Sequence, residues 1–308
     1  MAQGPILFDR KLLRRRRRRA LELEPSGFLL ERVAEDAADR IGTILRRFEL
    51  ALDLGTPGDA LRRALAASGK VGTIIAADAL VYRARQDDRT PALTVVCDEE
   101  ALPFRDASLD LITSALSLQF VNDLPGTLVQ IRRVLKPDGL FLAALIGGDT
   151  LIELRQAFAT AEAEIENGVS PRVAPFADVR DLGALLQRAG FALPVTDVER
   201  LTVRYASPLA LMHDLRRMGA TNVLVERSRR PLNRAVLARM MESYGARFAD
   251  ADGRIRATFE IMWLSGWVPH ESQQQPLKPG SATRRLADAL GTQERSAGEK
   301  TGPGKRSQ

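Results

Sequence analysis

The residues of this 308-residue chain best suited to chemistry are acids that stand where apolar runs stop. The stretch Phe48-Glu-Leu-Ala-Leu-Asp-Leu-Gly-Thr-Pro-Gly-Asp59 carries Asp53 just ahead of a glycine turn. Glycine permits a tight reversal and lets a ligand approach the backbone closely. Asp78 closes residues 72–77, about twenty residues beyond that turn, where an acid can accept hydrogen bonds from two ribose hydroxyls. Asp98 or Glu99, after residues 93–97, can accept from the exocyclic amine of a purine. Each carboxylate alone is better explained as a solvated loop acid. Their order along the chain points to a nucleotide-type ligand held beyond the carboxyl ends of strands.

The elements that must position these acids follow from the apolar patterning. Residues 48–53, 72–77, 93–97, 109–116 and 140–146 are near-continuous apolar runs, the last introduced by the turn Lys136-Pro-Asp-Gly139. Such runs predict strands buried on both faces, hence a parallel sheet covered by helices. Helical stretches at 60–68 and 124–135 alternate with them, which gives a doubly wound α/β domain. Farther on, Leu151, Leu154, Phe158, Ala161 and Ile165 recur at helical spacing and predict an amphipathic helix over 150–166. A helix over 178–189 stops at Gly190. Residues 191–198 and 201–205 read as a strand with a kink. Ser207-Pro208 opens a helix that Gly219 ends. Residues 231–248 read as a long helix striped by Leu232, Val236, Met240 and Tyr244, and 257–267 as a final antiparallel strand. The expected fold is Rossmann-like: a doubly wound, mostly parallel seven-stranded sheet with helical insertions forming a lid. The expected boundaries are a basic arm and helix over 1–40, a core over 41–206, the lid and final strand over 207–282, and a disordered tail over 283–308.

The order Asp53-Leu-Gly55, Asp78, Asp98-Glu-Glu-Ala-Leu-Pro-Phe104, Leu109-Asp-Leu-Ile112, Asn122-Asp-Leu-Pro125 and Ile131-Arg-Arg-Val-Leu-Lys-Pro-Asp-Gly-Leu-Phe141 resembles the class I S-adenosylmethionine-dependent methyltransferases. The resemblance implies S-adenosyl-L-methionine as cofactor. It places Asp53, Gly55 and Gly58 at the methionine part, Asp78 on the ribose, and Asp98 with Glu99 near the adenine. Leu116 would pack beside the cofactor. A narrower resemblance, to the methyltransferase-type complex I assembly factor (arginine hydroxylase) family, covers nearly the whole chain. It is carried by Phe8-Asp-Arg10, Gly147-Gly-Asp-Thr-Leu151, Ser170-Pro171, Arg188-Ala-Gly-Phe191, His270-Glu-Ser-Gln273 and Gly280-Ser-Ala282. It implies a methyltransferase-like protein acting on a protein acceptor, with an iron–sulfur subunit of complex I as partner. The alternative it carries is a complex I assembly factor, either hydroxylating a protein arginine or chaperoning without catalysis.

One departure bears on the cofactor. The superfamily's first loop reads Asp-x-Gly-x-Gly-x-Gly, whereas Pro57 stands here at the second glycine and Asp59 at the third. Proline fixes φ and removes an N–H that could face a ligand, and Asp59 adds a carboxylate. Both are expected to weaken cofactor binding, with Gly58 substituting through a shifted turn.

Composition narrows the remaining classes. Cys97 is the only cysteine and His213 and His270 the only histidines, so neither a disulfide framework nor a Cys- or His-rich metal site is expected. His270-Glu271 reads as a polar turn. Met212, Met218, Met240 and Met241 read as ordinary helix packing, and Tyr205 and Gln119 as candidate pocket-lining residues. No Ser-His-Asp triad or phosphate-cradling Walker loop appears, so no catalytic residue is named. No apolar run approaches the roughly 18 residues of a membrane span. The net charge of +6 combines +7 in residues 1–19 and +2 in residues 291–308, which leaves −3 for the body. A mildly acidic body is not a nucleic-acid surface. The Arg14–Arg19 run reads as a solvated arm that could make peripheral contact with an anionic membrane. The expected location is the cytoplasm for a bacterial chain and the mitochondrial matrix for a eukaryotic one.

Overall fold

The computed structural model describes residues 5–23, 27–80, 93–273, 288 and 291–292. Residues up to His270 form one compact unit. The elements in chain order begin with the helices α1 (Arg10–Ala20) and α2 (Phe28–Gly42). An alternating section follows: β1 (Phe48–Leu54), α3 (Ala60–Ala67), β2 (Val71–Asp78), β3 (Leu93–Val96), β4 (Leu109–Ala115), α4 (Leu124–Val134) and β5 (Leu135–Gly147). The last section contains α5 (Ile152–Glu166), α6 (Val179–Arg188), β6 (Ala192–Tyr205), α7 (Pro208–Arg217), α8 (Arg234–Phe248) and β7 (Ile255–Trp267). The seven strands form one sheet in the order β3-β2-β1-β4-β5-β7-β6. β1 to β5 run parallel, and β7 is antiparallel to both β5 and β6.

The apolar runs place this sheet between two layers. Successive residues of a strand point to opposite faces, so Ala51 and Leu111 join the cluster beneath α2, α3, α5 and α8, while Leu52 and Ile112 join the one beneath α4 and α6. The order reverses between β1 and β4, and that switch point is where an open α/β sheet leaves a crevice at its carboxyl edge. A third, smaller cluster joins α1 to the segment after α7: Phe8, Leu12 and Leu13 pack on Val223 and Leu224.

Capping residues set several boundaries. Asp123, Asp178, Ser207 and Asn233 each accept a backbone N–H at a helix start, from Gly126, Arg180, Ala210 and Ala235. The Asn233 cap starts α8 three residues later than its apolar stripe implies, which leaves Leu232 outside the helix. The turn Lys136–Gly139 lies inside β5 rather than before it, because Leu135 already pairs with Leu109. β6 is continuous through residues 199–200. Its irregularity sits between Ala192 and Val195, where Leu193 has a φ of 49°. The expected disordered tail over 283–308, and Gly280-Ser-Ala282, fall almost wholly outside the described residues.

Candidate functional site

The β1–α3 turn is built as its glycines require. Gly55 and Gly58 have φ of 71° and 73°, a region that side chains rarely adopt. The N–H of Gly55 donates to the Ala77 carbonyl at 2.7 Å, which locks the turn onto the end of β2. A Cβ on Gly55 would stand 2.6 Å from Ser117 Oγ and 2.7 Å from Glu99 Oε1, so glycine is demanded by space as well as by φ. A Cβ on Gly58 would meet nothing within 4 Å. Asp59 stands ahead of α3 and pairs with Arg63 at 3.2 Å.

Asp53 and Asp78 are 2% and 7% exposed at the ends of adjacent strands. Asp53 Oδ2 accepts from Arg62 at 2.9 Å, and Asp78 Oδ1 accepts from the Leu80 N–H at 2.7 Å. Asp53 Oδ1 and Asp78 Oδ2 are buried with no partner among the described residues. Burial pushes the Asp53 carboxyl up to about 6, against the pull of Arg62 and Thr56. Burial likewise pushes Asp78 up to about 6; the Leu80 amide and Arg17 oppose it, while Glu99 and Asp53 add to it. A buried oxygen without a donor is costly. At Asp78 it is the acceptor that a ribose hydroxyl would satisfy, so this end of the site fits the cofactor implied by the sequence.

The acids after β3 are already engaged. Asp98 is half-buried, and Glu99 is buried against Ser117 Oγ at 3.3 Å. Arg10 of α1 pairs with Glu99, with Asp98 at 3.0 Å and with Glu100 at 3.1 Å, and Arg14 pairs with Asp98. Burial works against the Arg10 charge, yet these three carboxylates outweigh it and hold its pKa above the ordinary value. Arg17, 7% exposed, reaches Ser117 Oγ at 3.3 Å and lies over the Phe120 ring at 5.7 Å. The run Arg14–Arg19 is thus the docked helix α1, with Arg14 and Arg17 turned toward the strand ends and Arg15, Arg18 and Arg19 exposed.

Docking of α1 explains two of the sequence motifs. Asn122 Oδ1 accepts from the N–H groups of Leu7 and Phe8 at 2.9 and 2.8 Å, and Asn122 Nδ2 donates to the Phe8 carbonyl at 3.1 Å. Phe8 packs edge-on against Phe120 with centroids 5.8 Å apart. Gly147-Gly-Asp-Thr-Leu151 is a structural corner. Thr150 Oγ1 donates to the Gly147 carbonyl at 2.7 Å and accepts from the Glu260 N–H at 2.8 Å, and the Leu151 N–H donates to the Thr258 carbonyl at 2.8 Å.

A cavity of about 1230 Å³ opens beside the β1–α3 turn. Gly58, Leu116 and Gln119 line it, as expected of pocket residues, whereas Asp53, Gly55, Asp78, Asp98 and Glu99 lie outside its lining. Tyr205 does not reach it; the hydroxyl donates to Asp214 at 2.9 Å. Sequence reasoning missed Arg17, Thr150 and Arg216 as lining residues. Arg17 falls within the run read as a solvated arm, Arg216 carries no local signal, and only the helical spacing of Leu13 and Arg17 hints at a common buried face.

The methyltransferase domain family matches residues 52–143. The arginine-hydroxylase NDUFAF5 of zebrafish (Danio rerio) is 39% identical, covering 93% of this chain and 90% of its own. The human protein of that name is 41% identical, covering 90% of this chain and 81% of its own. The malonyl-[acyl-carrier protein] O-methyltransferase of Halorhodospira halophila is 35% identical, covering 84% of this chain and 88% of its own. Among solved structures, the YcgJ protein of Bacillus subtilis matches with a TM-score of 0.52 at 18% identity, over 78% of this chain and 99% of the other. At that identity the likeness shows the fold alone.

Proposed function

Because the chain belongs to the methyltransferase-like family of the arginine-hydroxylase NDUFAF5, we infer that it binds S-adenosyl-L-methionine at the ends of β1 to β4 and transfers the methyl group to an acceptor. The observation that carries this reading is the buried Asp78 carboxylate, with its unpartnered oxygen beside the Gly55 turn. When bound, the cofactor supplies an electrophilic methyl on a sulfonium. Asp78 would hold the ribose, and Gly55 with Asp53 the methionine end. Glu99 and Asp98 would exchange Arg10 for the adenine amine. Leu116 would pack against the ligand and keep water away from the methyl. Methyl transfer needs alignment of donor and acceptor and exclusion of water more than it needs an acid or base. That the O-methyltransferase is similar over most of both chains supports this chemistry.

A second reading, hydroxylation of an arginine, is favoured by the relatives' name of arginine-hydroxylase; its acceptor would be a protein arginine on an iron–sulfur subunit of complex I, the partner that the sequence resemblance implies. It requires dioxygen and a reductant in addition. The two separate by mass. Extract from cells lacking this chain is incubated with the purified protein and methyl-labelled S-adenosyl-L-methionine. Transfer of label by the wild type and not by Asp78→Asn supports methyl transfer. An acceptor one oxygen heavier, with no label, overturns it in favour of hydroxylation.

A further inference from the structure

The cavity beside the β1–α3 turn has an unbalanced charge. Among the described residues, eight arginines line it, against two acids, Glu31 and Asp59. Both acids pair with Arg63, at 2.7 and 3.2 Å. Three of the arginines carry their own carboxylates: Arg62 with Asp53, Arg172 with Glu162 and Arg227 with Asp9. Arg16, Arg17, Arg18 and Arg216 form no ion pair among the described residues. They come from two helices: Arg16 to Arg18 from α1, and Arg216 from the last turn of α7. The Arg16 guanidinium is held below its ordinary value, first by burial and then by Arg227, Arg15 and Arg19, with Asp9 opposing. Like charges gathered without counter-charge repel one another, and the repulsion is relieved when an anion enters.

The remaining wall is apolar. Leu154, Phe158 and Phe259 line the same cavity and belong to the main core, and the half-buried Met212 packs against them. A pocket with an apolar body and a few convergent polar groups binds an amphipathic ligand by burying its tail and pairing its head. Arginine also presents a planar fork that matches carboxylate and phosphate oxygens.

We propose that this cavity holds the acceptor, and that the acceptor is an organic anion: a carboxylate or phosphate group on an apolar body, seated between α1 and α7. The assignment of acceptor rests on the cofactor reading above; binding of the anion does not. The charge also disfavours a guanidinium in this cavity, because an arginine side chain would enter a field of its own sign.

The test is calorimetric titration of the full chain with octanoate, octyl phosphate, octan-1-ol and octylguanidinium. The same protein is titrated separately with S-adenosylhomocysteine. The expected result is saturable binding of octanoate or octyl phosphate, about tenfold or more tighter than octan-1-ol, with no binding of octylguanidinium. Whichever of the two anions binds more tightly identifies the head group. Arg216→Gln, on an exposed position, and Arg18→Gln should each weaken the anion by about tenfold while keeping the wild-type melting temperature. Equal affinity for octan-1-ol, preference for octylguanidinium, no binding of any probe, or unchanged anion affinity in both well-folded variants would each overturn the proposal. Anion binding without S-adenosylhomocysteine binding would sink the cofactor reading and leave the anion site standing. The reverse would do the opposite.

Discussion

Asp78 is a buried carboxylate that the apo protein holds at a cost. Its pKa is pushed up to about 6, from an ordinary value of 3.8. The folded state therefore binds a proton more tightly than the unfolded state does. Between those values the native chain carries protons that the unfolded chain has lost, so its stability falls as pH rises through that window. Asp78→Asn removes the buried charge. It should stabilise the apo protein by roughly 1–3 kcal/mol near neutral pH, and the gain should vanish below about pH 4, where both states are protonated. Urea midpoints at the two pH values measure this; an equal effect at both would mean that the carboxylate is not the cause. Gly55 offers a second test at the same scale. Its φ of 71° and the crowding of Ser117 and Glu99 predict that Gly55→Ala destabilises by about 1–3 kcal/mol, read as a lowered melting temperature. Gly58→Ala carries the φ strain alone and should cost less.

At the scale of elements, α1 is the part that composition misrepresents. Six consecutive arginines announce a solvated arm, because charge alone does not say which partners wait across the fold. The partners of Arg10 and Arg14 are nearly ninety residues away, at 98–100, and only folding brings them together. β4 and most of β1 and β5 were legible for the opposite reason: each is a continuous apolar run whose burial on both faces follows from local composition. The apolar run of β3 misled, because β3 lies at the sheet edge with Leu93 and Val96 62% and 57% exposed. β6 was harder to read because its residues alternate between half-buried and exposed, as an edge strand's do. The docking of α1 hangs on Phe8 and Asn122. Phe8→Ala removes a 5%-exposed ring from the small cluster with Leu12, Leu13 and Val223. The expected outcome is faster amide exchange over α1 and residues 222–225, with the β-sheet amides unchanged, because that cluster stands apart from the two core layers. Faster exchange throughout the sheet would show instead that α1 is integral to the core.

For the molecule as a whole, the parallel sheet and its strand-order reversal create one crevice, and most of the chemistry gathers there. Asp78, the glycine turn and the arginine-capped acids are contributed by different strand ends, so they were legible as an ordered set of motifs. Arg17 and Arg216 were not, since nothing in an arginine's neighbours along the chain tells whether its helix faces water or a cavity. The arginines of the crevice favour methyl transfer to an anionic acceptor over hydroxylation of an arginine, and both readings begin from a bound cofactor in the methyltransferase-like fold. What they share can be measured first. The most direct measurement is calorimetric titration of S-adenosylhomocysteine into the wild type and Asp78→Asn, near neutral pH and again below pH 6. The account predicts one saturable site in the wild type, weakened about tenfold or more in Asp78→Asn, and weakened in the wild type as protonation of Asp78 removes the charge that strengthens its hydrogen bonds to the ribose. No binding at millimolar ligand, or equal binding by both proteins at both pH values, would contradict it.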